Sequence, residues 1–408
     1  MTMPLEGIRV LDMTLGQQGP VASMMLADMG ADVIKLEDPL MGDPGRYLHS
    51  ILGVEVPVNF YFENNNRNKR SITVNLKKEK GREIVYRLAQ KSDVFVTNYL
   101  RPTVESLGVD YQTISSYNPS IIYAVGSGFG PMGPDRNKTC LDIAAQARGG
   151  IWSISGEPDH PPALVGAGMA DQVGAGLLAY GIVLALFARE RTGVGQEVDV
   201  SLLAGQAWLG ALGLQQYLLY GEVRALSRVP RASTGNPLWN SYRTKDDKWL
   251  CLAMLVSDVY WQDFCRIMGL DELEKDPRFE SHTARAEHAA ELVSILDERF
   301  ASENRQEWIR RFSEQDRLLE RALIWEPFKD YPELAADPQM YDNDYIVEFN
   351  HPARGPEKWV GIPVKLSNTP GEIRKPAPEL GQHTEEVLLE IGGYTWNEIE
   401  RLREQEAI

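Results

Sequence analysis

Through its first 125 residues the chain alternates short runs rich in β-branched residues with stretches of helical period. Ile8–Met13, Asp32–Leu36, Ser71–Leu76, Asp93–Asn98 and Ser120–Val125 read as strands. Between them, Pro20 opens a helix that Gly30 closes, and Lys80 to Gln90 forms another. Strands that alternate with helices pair in parallel, because a crossover helix returns each strand in the same direction. In such a sheet, ligands bind beyond the carboxyl ends of the strands. An α/β class with a parallel sheet follows.

The rest of the chain sets the domain organisation. Residues 1–220 form the first part of a large domain, and Pro230–Pro237 is a Gly/Pro/Ser-containing connector. A smaller α+β domain is expected over 225–325, with a strand at Trp249–Leu255 and an amphipathic helix over Arg285–Phe300. Residues 330–408 return to the large domain and end in a helical pair, Thr384–Ile391 and Thr395–Glu404.

Composition narrows the partners. The 42 basic and 58 acidic residues leave a net charge of −16, which repels nucleic acid and anionic membranes. Cys140, Cys251 and Cys265 have neither disulfide nor zinc spacing, and the six histidines lack metal-ligand pairs, so no metal is expected. No signal-peptide pattern opens the chain. Gln172–Ala188 is too short for a bilayer, and glutamines and glycines interrupt Ser201–Gly221, so both are expected as buried helices. These readings give a soluble, cytoplasmic protein.

Three segments carry chemistry. The turn Thr14–Pro20 has two glycines for close backbone approach and Gln17, whose amide can donate to a developing oxyanion. It is neither a dinucleotide fingerprint nor a Walker loop. A basic cluster, Arg67, Lys69, Arg70, Lys77, Lys78 and Lys80, brackets the third strand, where a phosphorylated ligand would lie unless the cluster is simply a solvated face. Gly166-Ala167-Gly168-Met169-Ala170-Asp171 leads straight into an apolar helix and places Asp171 as its N-cap. The helix terminus favours an ionised carboxylate there, a nucleophile at neutral pH, with small residues leaving room for a ligand.

Further segments make the sequence similar to the family III CoA-transferases over nearly its whole length. They are Pro4–Asp12, Gly30–Glu37, Asn68–Ile72, Ser127–Pro131, Arg191–Val200 and Leu380–Thr384. The resemblance implies a Rossmann-like large domain plus a small domain, in an interlocked dimer or a heteromer with a sister subunit. It also implies CoA transfer between an acyl-CoA and a free carboxylic acid, with CoA thioesters as substrates and no resident cofactor. Asp171 falls on the family's nucleophile, which would carry aspartyl anhydride and aspartyl-CoA thioester intermediates. Gln17 falls on its mobile glutamine. Lys69, Lys77, Asn98 and Tyr99, with Val74 and Arg101, fall on positions lining the CoA site. Gly235, Asn236 and Trp239 fall on the loop over the active site, where only Gly235 remains of a glycine-rich stretch.

The sequence departs from the family pattern at Ser106, where relatives often carry Arg, at Leu141, where transferases often carry Tyr, and at Asp38, basic in some relatives. Leu141 also opposes a racemase, which needs a proton-transferring histidine at that point. Within the family, Asn236–Tyr242 most resembles the branch acting on aromatic or hydrophobic acids, typified by the aspartate-bearing subunit of succinyl-CoA:benzylsuccinate CoA-transferase. Trp152, Trp208 and Trp239 would then help line an acyl pocket. The competing reading is a CoA-binding subunit without catalysis.

Overall fold

A computed structural model describes residues 2–48, 53–156, 160–161, 166–223, 229–318 and 321–408. The expected start of the small domain, at residue 225, lies outside these described residues. The chain divides into two compact units, one formed by Met1–Ser153, Leu164–Ala225 and Gln339–Ile408, the other by Ile154–Ala163 and Leu226–Pro338.

The first unit is built on six parallel strands, β1 (Arg9–Met13), β2 (Asp32–Glu37), β3 (Arg70–Thr73), β4 (Val94–Thr97), β5 (Ile122–Ser127) and β6 (Gln196–Ser201). Their order is β3-β2-β1-β4-β5-β6. The middle strands read as near-continuous apolar runs because helices cover both faces: Val10, Leu11, Val94, Phe95 and Val96 are fully buried. Strand order reverses between β1 and β4, where Met13 pairs with Thr97. The crevice beyond these two carboxyl ends is where an open α/β sheet offers a ligand site.

Four helices of this unit position the residues around that crevice: α1 (Gln18–Asp28), α2 (Phe60–Asn66), α3 (Asp142–Arg148) and α4 (Met169–Thr192). The last corrects the expectation of a short apolar run, since Gln172–Ala188 lies inside a 24-residue helix with the length and hydropathy of a membrane span. One face nonetheless packs against the sheet, burying Ala175, Leu178, Ile182 and Ala185. Gly174 permits close contact there, because a Cβ would stand 2.9 Å from the Gln18 amide.

The second apolar run forms α5 (Leu202–Leu209) and α6 (Ala211–Tyr220). It is only partly buried: Leu202, Gly205, Gln206 and Gly213 pack inward, but Trp208 is 72%, Leu212 80% and Leu218 68% exposed. Hydropathy alone could not separate a face packed inside the chain from a face left exposed.

The edge strand β3 ends at Thr73, earlier than its sequence suggests, because Asn75 begins a turn closed by the Lys78 N–H to its carbonyl at 3.0 Å. Its outer edge is taken by the segment after residue 380. The His383 N–H donates to the Ser71 carbonyl (2.9 Å), the Ser71 N–H to His383 Nδ1 (3.2 Å) and the Thr73 N–H to Thr384 Oγ1 (3.1 Å). A covered edge cannot recruit a foreign strand.

The second unit has a three-stranded antiparallel sheet, β7 (Trp239–Arg243), β8 (Trp249–Ala253) and β9 (Trp325–Pro327). Helices packed on it bury Phe264, Phe279, Leu292, Phe300, Trp308 and Phe312 in one aromatic-rich core. The amphipathic stretch is Ala289–Phe300, and Arg285 belongs to a separate short helix. An antiparallel pair, β10 (Ile346–His351) and β11 (Gly355–Val360), follows in the first unit.

Candidate active site

The β1–α1 turn is clamped residue by residue. Lys35, fully buried and paired with Asp43 at 2.8 Å, donates to the Thr14 carbonyl at 2.9 Å. Asn98, just past β4, accepts from the Leu15 N–H (2.8 Å) and donates to the Leu15 carbonyl (2.7 Å). The Gly16 N–H donates to Asp43 Oδ1 at 3.0 Å, with Gly16 at φ +74°, a conformation that glycine adopts without strain. Gln17 follows as N-cap of α1, and its side chain makes no capping bond. Its amide reaches across to the Gly168 carbonyl at 3.4 Å.

Gly168 begins the second half of the site. It takes φ +83° as N-cap of α4, and a Cβ there would stand 2.7 Å from Gln17 Nε2. Asp171 is therefore in the first turn of α4 and not its N-cap, contrary to the sequence expectation. A residue that sequence reading missed does the capping. Asp142, on α3, accepts the N–H of Gly168 on Oδ2 (2.8 Å), and those of Ala170 (2.6 Å) and Asp171 (3.1 Å) on Oδ1. Gln146 adds a fourth donor at 2.8 Å and also holds the Gly166 carbonyl. No donor reaches the Asp171 carboxylate itself among the described residues.

Asp171, Gln17, Asn98, Tyr99 and Arg101 line one pocket of about 230 Å³ at the β1/β4 crevice, together with Tyr61, Cys140 and Leu141. Burial, and then the Asp142 charge, push the Asp171 carboxyl up to about 7. Desolvation thus outweighs the helix terminus that was expected to keep it fully ionised, and the group is close to half ionised at neutral pH. Burial and the Asp171 charge in turn push the Tyr61 phenol and the Cys140 thiol upward. Sequence reading also missed Tyr61, which no motif marks. The cations Arg136 and Lys138 line the same pocket. Arg101 is partly committed, pairing with Glu197 at 2.8 Å.

A neighbouring pocket of about 250 Å³ is lined by Val74, Lys77, Asp38 and again Tyr99. Tyr99 thus borders both pockets at one crevice, and burial holds its phenol up at about 12.

The basic cluster resolves mostly as internal ion pairs. Arg67 pairs with Asp28, Arg70 with Asp32, Lys78 with Glu406 and Lys80 with Glu83. Among the described residues, Lys77 is the one member with no carboxylate partner. Lys69 corrects its expected place on a CoA site. It is 1% exposed, and its ammonium donates to Asp12 (2.9 Å), the Pro20 carbonyl (2.8 Å) and Asn66 (2.8 Å) beneath α1. Lys69→Met should therefore cost about 3 kcal/mol of stability, since the buried Asp12 would lose its ion-pair partner and keep only the Thr14 and Ser23 hydroxyls and the nearby Lys35 charge. Denaturant unfolding checks the loss, and the folded enzyme should keep its KM for acyl-CoA.

The expected loop residues lie in the second unit. Asn236 donates to the carbonyls of Met254 (3.0 Å) and Leu255 (3.2 Å) and accepts from Leu238, so it fixes its own turn. Gly235 has open space around it, and Trp239 is 52% exposed at the start of β7. Trp152 donates to Gln146 at 3.2 Å.

A six-stranded parallel sheet with a carboxylate in the pocket at its switch point offers a small-molecule site beyond the carboxyl ends of β1 and β4. The chain matches the CoA-transferase family III profile over residues 5–384 and belongs to that family. It is a CoA-transferase, moving CoA between an acyl-CoA and a carboxylate. It is 34% identical to succinyl-CoA:glutarate CoA-transferase of Mus musculus, over 98% of this chain and 89% of that protein. It is likewise 34% identical to formyl-CoA:oxalate CoA-transferase of Rhodopseudomonas palustris (strain BisA53), over 100% and 98%. A crystal structure of a CAIB/BAIF family protein from Brucella suis superposes with a TM-score of 0.84 at 28% identity, over 96% of this chain and 100% of that one.

Proposed function

We propose that Asp171 is the covalent carrier of the transfer. The observation that carries this reading is a carboxylate with no hydrogen-bond donor of its own among the described residues, facing a pocket shared with the Gln17 amide, which is held only by a long 3.4 Å bond to the Gly168 carbonyl. An Asp171 oxygen attacks the thioester carbonyl, the C–S bond breaks, and CoA thiolate leaves a mixed anhydride. The thiolate then attacks the aspartyl carbon, releasing the donor's carboxylate and leaving an aspartyl-CoA thioester. The acceptor carboxylate attacks that thioester to form a second anhydride. The thiolate resolves it at the acceptor carbon, giving the new acyl-CoA and a free Asp171. No proton is gained or lost over the cycle, and the acyl energy is kept provided that water is excluded. The Gln17 amide stabilises each oxyanion as it forms.

CoA would run from this pocket past Tyr99 toward Val74 and Lys77, with Asn98 holding the turn and Arg101 at the rim. The acceptor is read as a dicarboxylic acid. Arg136 and Lys138 supply cations for a second carboxylate, and the two named relatives act on glutarate and oxalate. Benzylsuccinate, the aromatic member of that class, is favoured by the Asn236–Tyr242 resemblance, with succinyl-CoA as donor. The exposed apolar face of α5 and α6 supports pairing with a second chain, identical or a sister. The reading is of a cytoplasmic enzyme.

The purified protein, alone and co-expressed with any sister chain, is to be incubated with succinyl-CoA and each of glutarate, oxalate, benzylsuccinate and benzoate. A new acyl-CoA with the dicarboxylates and none with benzoate is the expected result. Preference for benzoate would overturn the acceptor class.

A further inference from the structure

The helix that carries Asp171 could have satisfied its own first turn with that side chain. A carboxylate at the third position of a helix can reach back to the N–H of the N-cap residue, here Gly168. That N–H and those of Ala170 and Asp171 are already occupied from outside, by a residue 29 positions before Asp171 in the chain. Asp142 takes three backbone N–H groups, is nearly buried, and is itself fixed by Gln146.

We propose that Asp142 is a positioning residue of the transfer reaction: by capping α4 in place of Asp171, it leaves the Asp171 carboxylate unbonded and able to turn between attack and release. The inference rests on Asp171 as carrier and adds what keeps it available. Each cycle makes and breaks three bonds to the same carboxyl group, so a nucleophile tied to its own helix would have to break those ties each time. An unbonded carboxylate next to a second negative charge is also more basic, hence more nucleophilic.

The groups facing Asp171 are few. Asp142 comes from α3, Tyr61 from α2 and Cys140 from the loop before α3, and Arg136 and Lys138 line the same pocket. The phenol and the thiol are both pushed upward, away from neutral pH, so the acid limb belongs to Asp171.

The test is the pH dependence of kcat/KM in Asp142→Asn and Asp142→Glu, with Asp171→Ala as a separate control. Asp142→Asn should move the acid limb down by about one pH unit or more. Its plateau rate should fall on the order of tenfold as released N–H groups recapture Asp171. Asp142→Glu, which keeps the charge, should keep the limb. A residue with only a structural role would change the amount of folded enzyme and leave the limb in place. An unmoved limb and an unchanged plateau in folded Asp142→Asn would overturn the proposal, as would equal behaviour of the two variants. Infrared difference spectra of the native protein against Asp171→Asn at pH 5 need no change at residue 142. They should place the Asp171 carboxyl stretch where a carboxyl accepting no hydrogen bond absorbs, and a hydrogen-bonded frequency would overturn the proposal. If Asp171→Ala retained full exchange, the carrier reading itself would fall, a different result from either of these.

Discussion

Asp171→Ala should lose CoA exchange by on the order of 10⁴-fold or more, with binding of acyl-CoA nearly unchanged. The size of the effect follows from chemistry in which the side chain is itself a reactant. No neighbouring group can take its place: Asp142 is committed to four N–H donors, and the Cys140 thiol is held protonated by burial and by the Asp171 charge. Intact mass after succinyl-CoA, with hydroxylamine trapping, gives the complementary measurement. The native protein should yield a hydroxamate on the peptide that contains Asp171, and the variant none. A trapped adduct elsewhere in the chain, or an active variant, would remove Asp171 from its role.

Asp171→Asn should be more stable than the native protein above neutral pH. The carboxyl titrates at about 7 in the folded state, against an ordinary value near 3.8 when unfolded. Below both values the group is protonated in either state and contributes nothing. As pH rises from about 4 to 7 the unfolded chain ionises first, so the folded state is progressively penalised; above 7 the penalty is complete. The full shift corresponds to about 4 kcal/mol, and residual solvent contact will trim it. Melting temperatures of the two proteins at pH 4 and pH 8.5 test this. They should coincide at the lower pH, and the variant should melt several degrees higher at the other. Equal melting at pH 8.5 would mean that Asp171 is not strained by its surroundings. The same titration places the acid limb of activity near pH 7, since the attacking form is the carboxylate.

Much of the frame was legible in the sequence, because it is local. Strand runs, the Pro20 start and the Gly30 stop depend on neighbours a few residues away, and they settled the parallel sheet and so the end at which ligands bind. Gln17, Asn98 and Asp171 follow from their places at strand ends and a helix start. What was not legible depends on pairings across the chain. Lys69 looks like its neighbour Lys77 in sequence, yet one points under α1 toward Asp12, 57 positions away, and the other lines a pocket. Asp142 carries no motif, and its meaning comes only from the three N–H groups it meets. The Ser201–Gly221 run misled because hydropathy does not say which apolar residues pack inside the chain and which stay exposed.

The seal on β3 has a consequence for how the chain is made. The strand emerges from the ribosome at Thr73, but the residues that close its edge, Gly381 to Thr384, come some 300 positions later. At roughly 5–20 residues per second, synthesis leaves that edge open for about 15 to 60 seconds. During this interval the nascent sheet presents its bare flank to every other chain nearby. Yield in a cell should therefore depend on the codons for Gly381 to Thr384, although none of them encodes a residue placed in the chemistry.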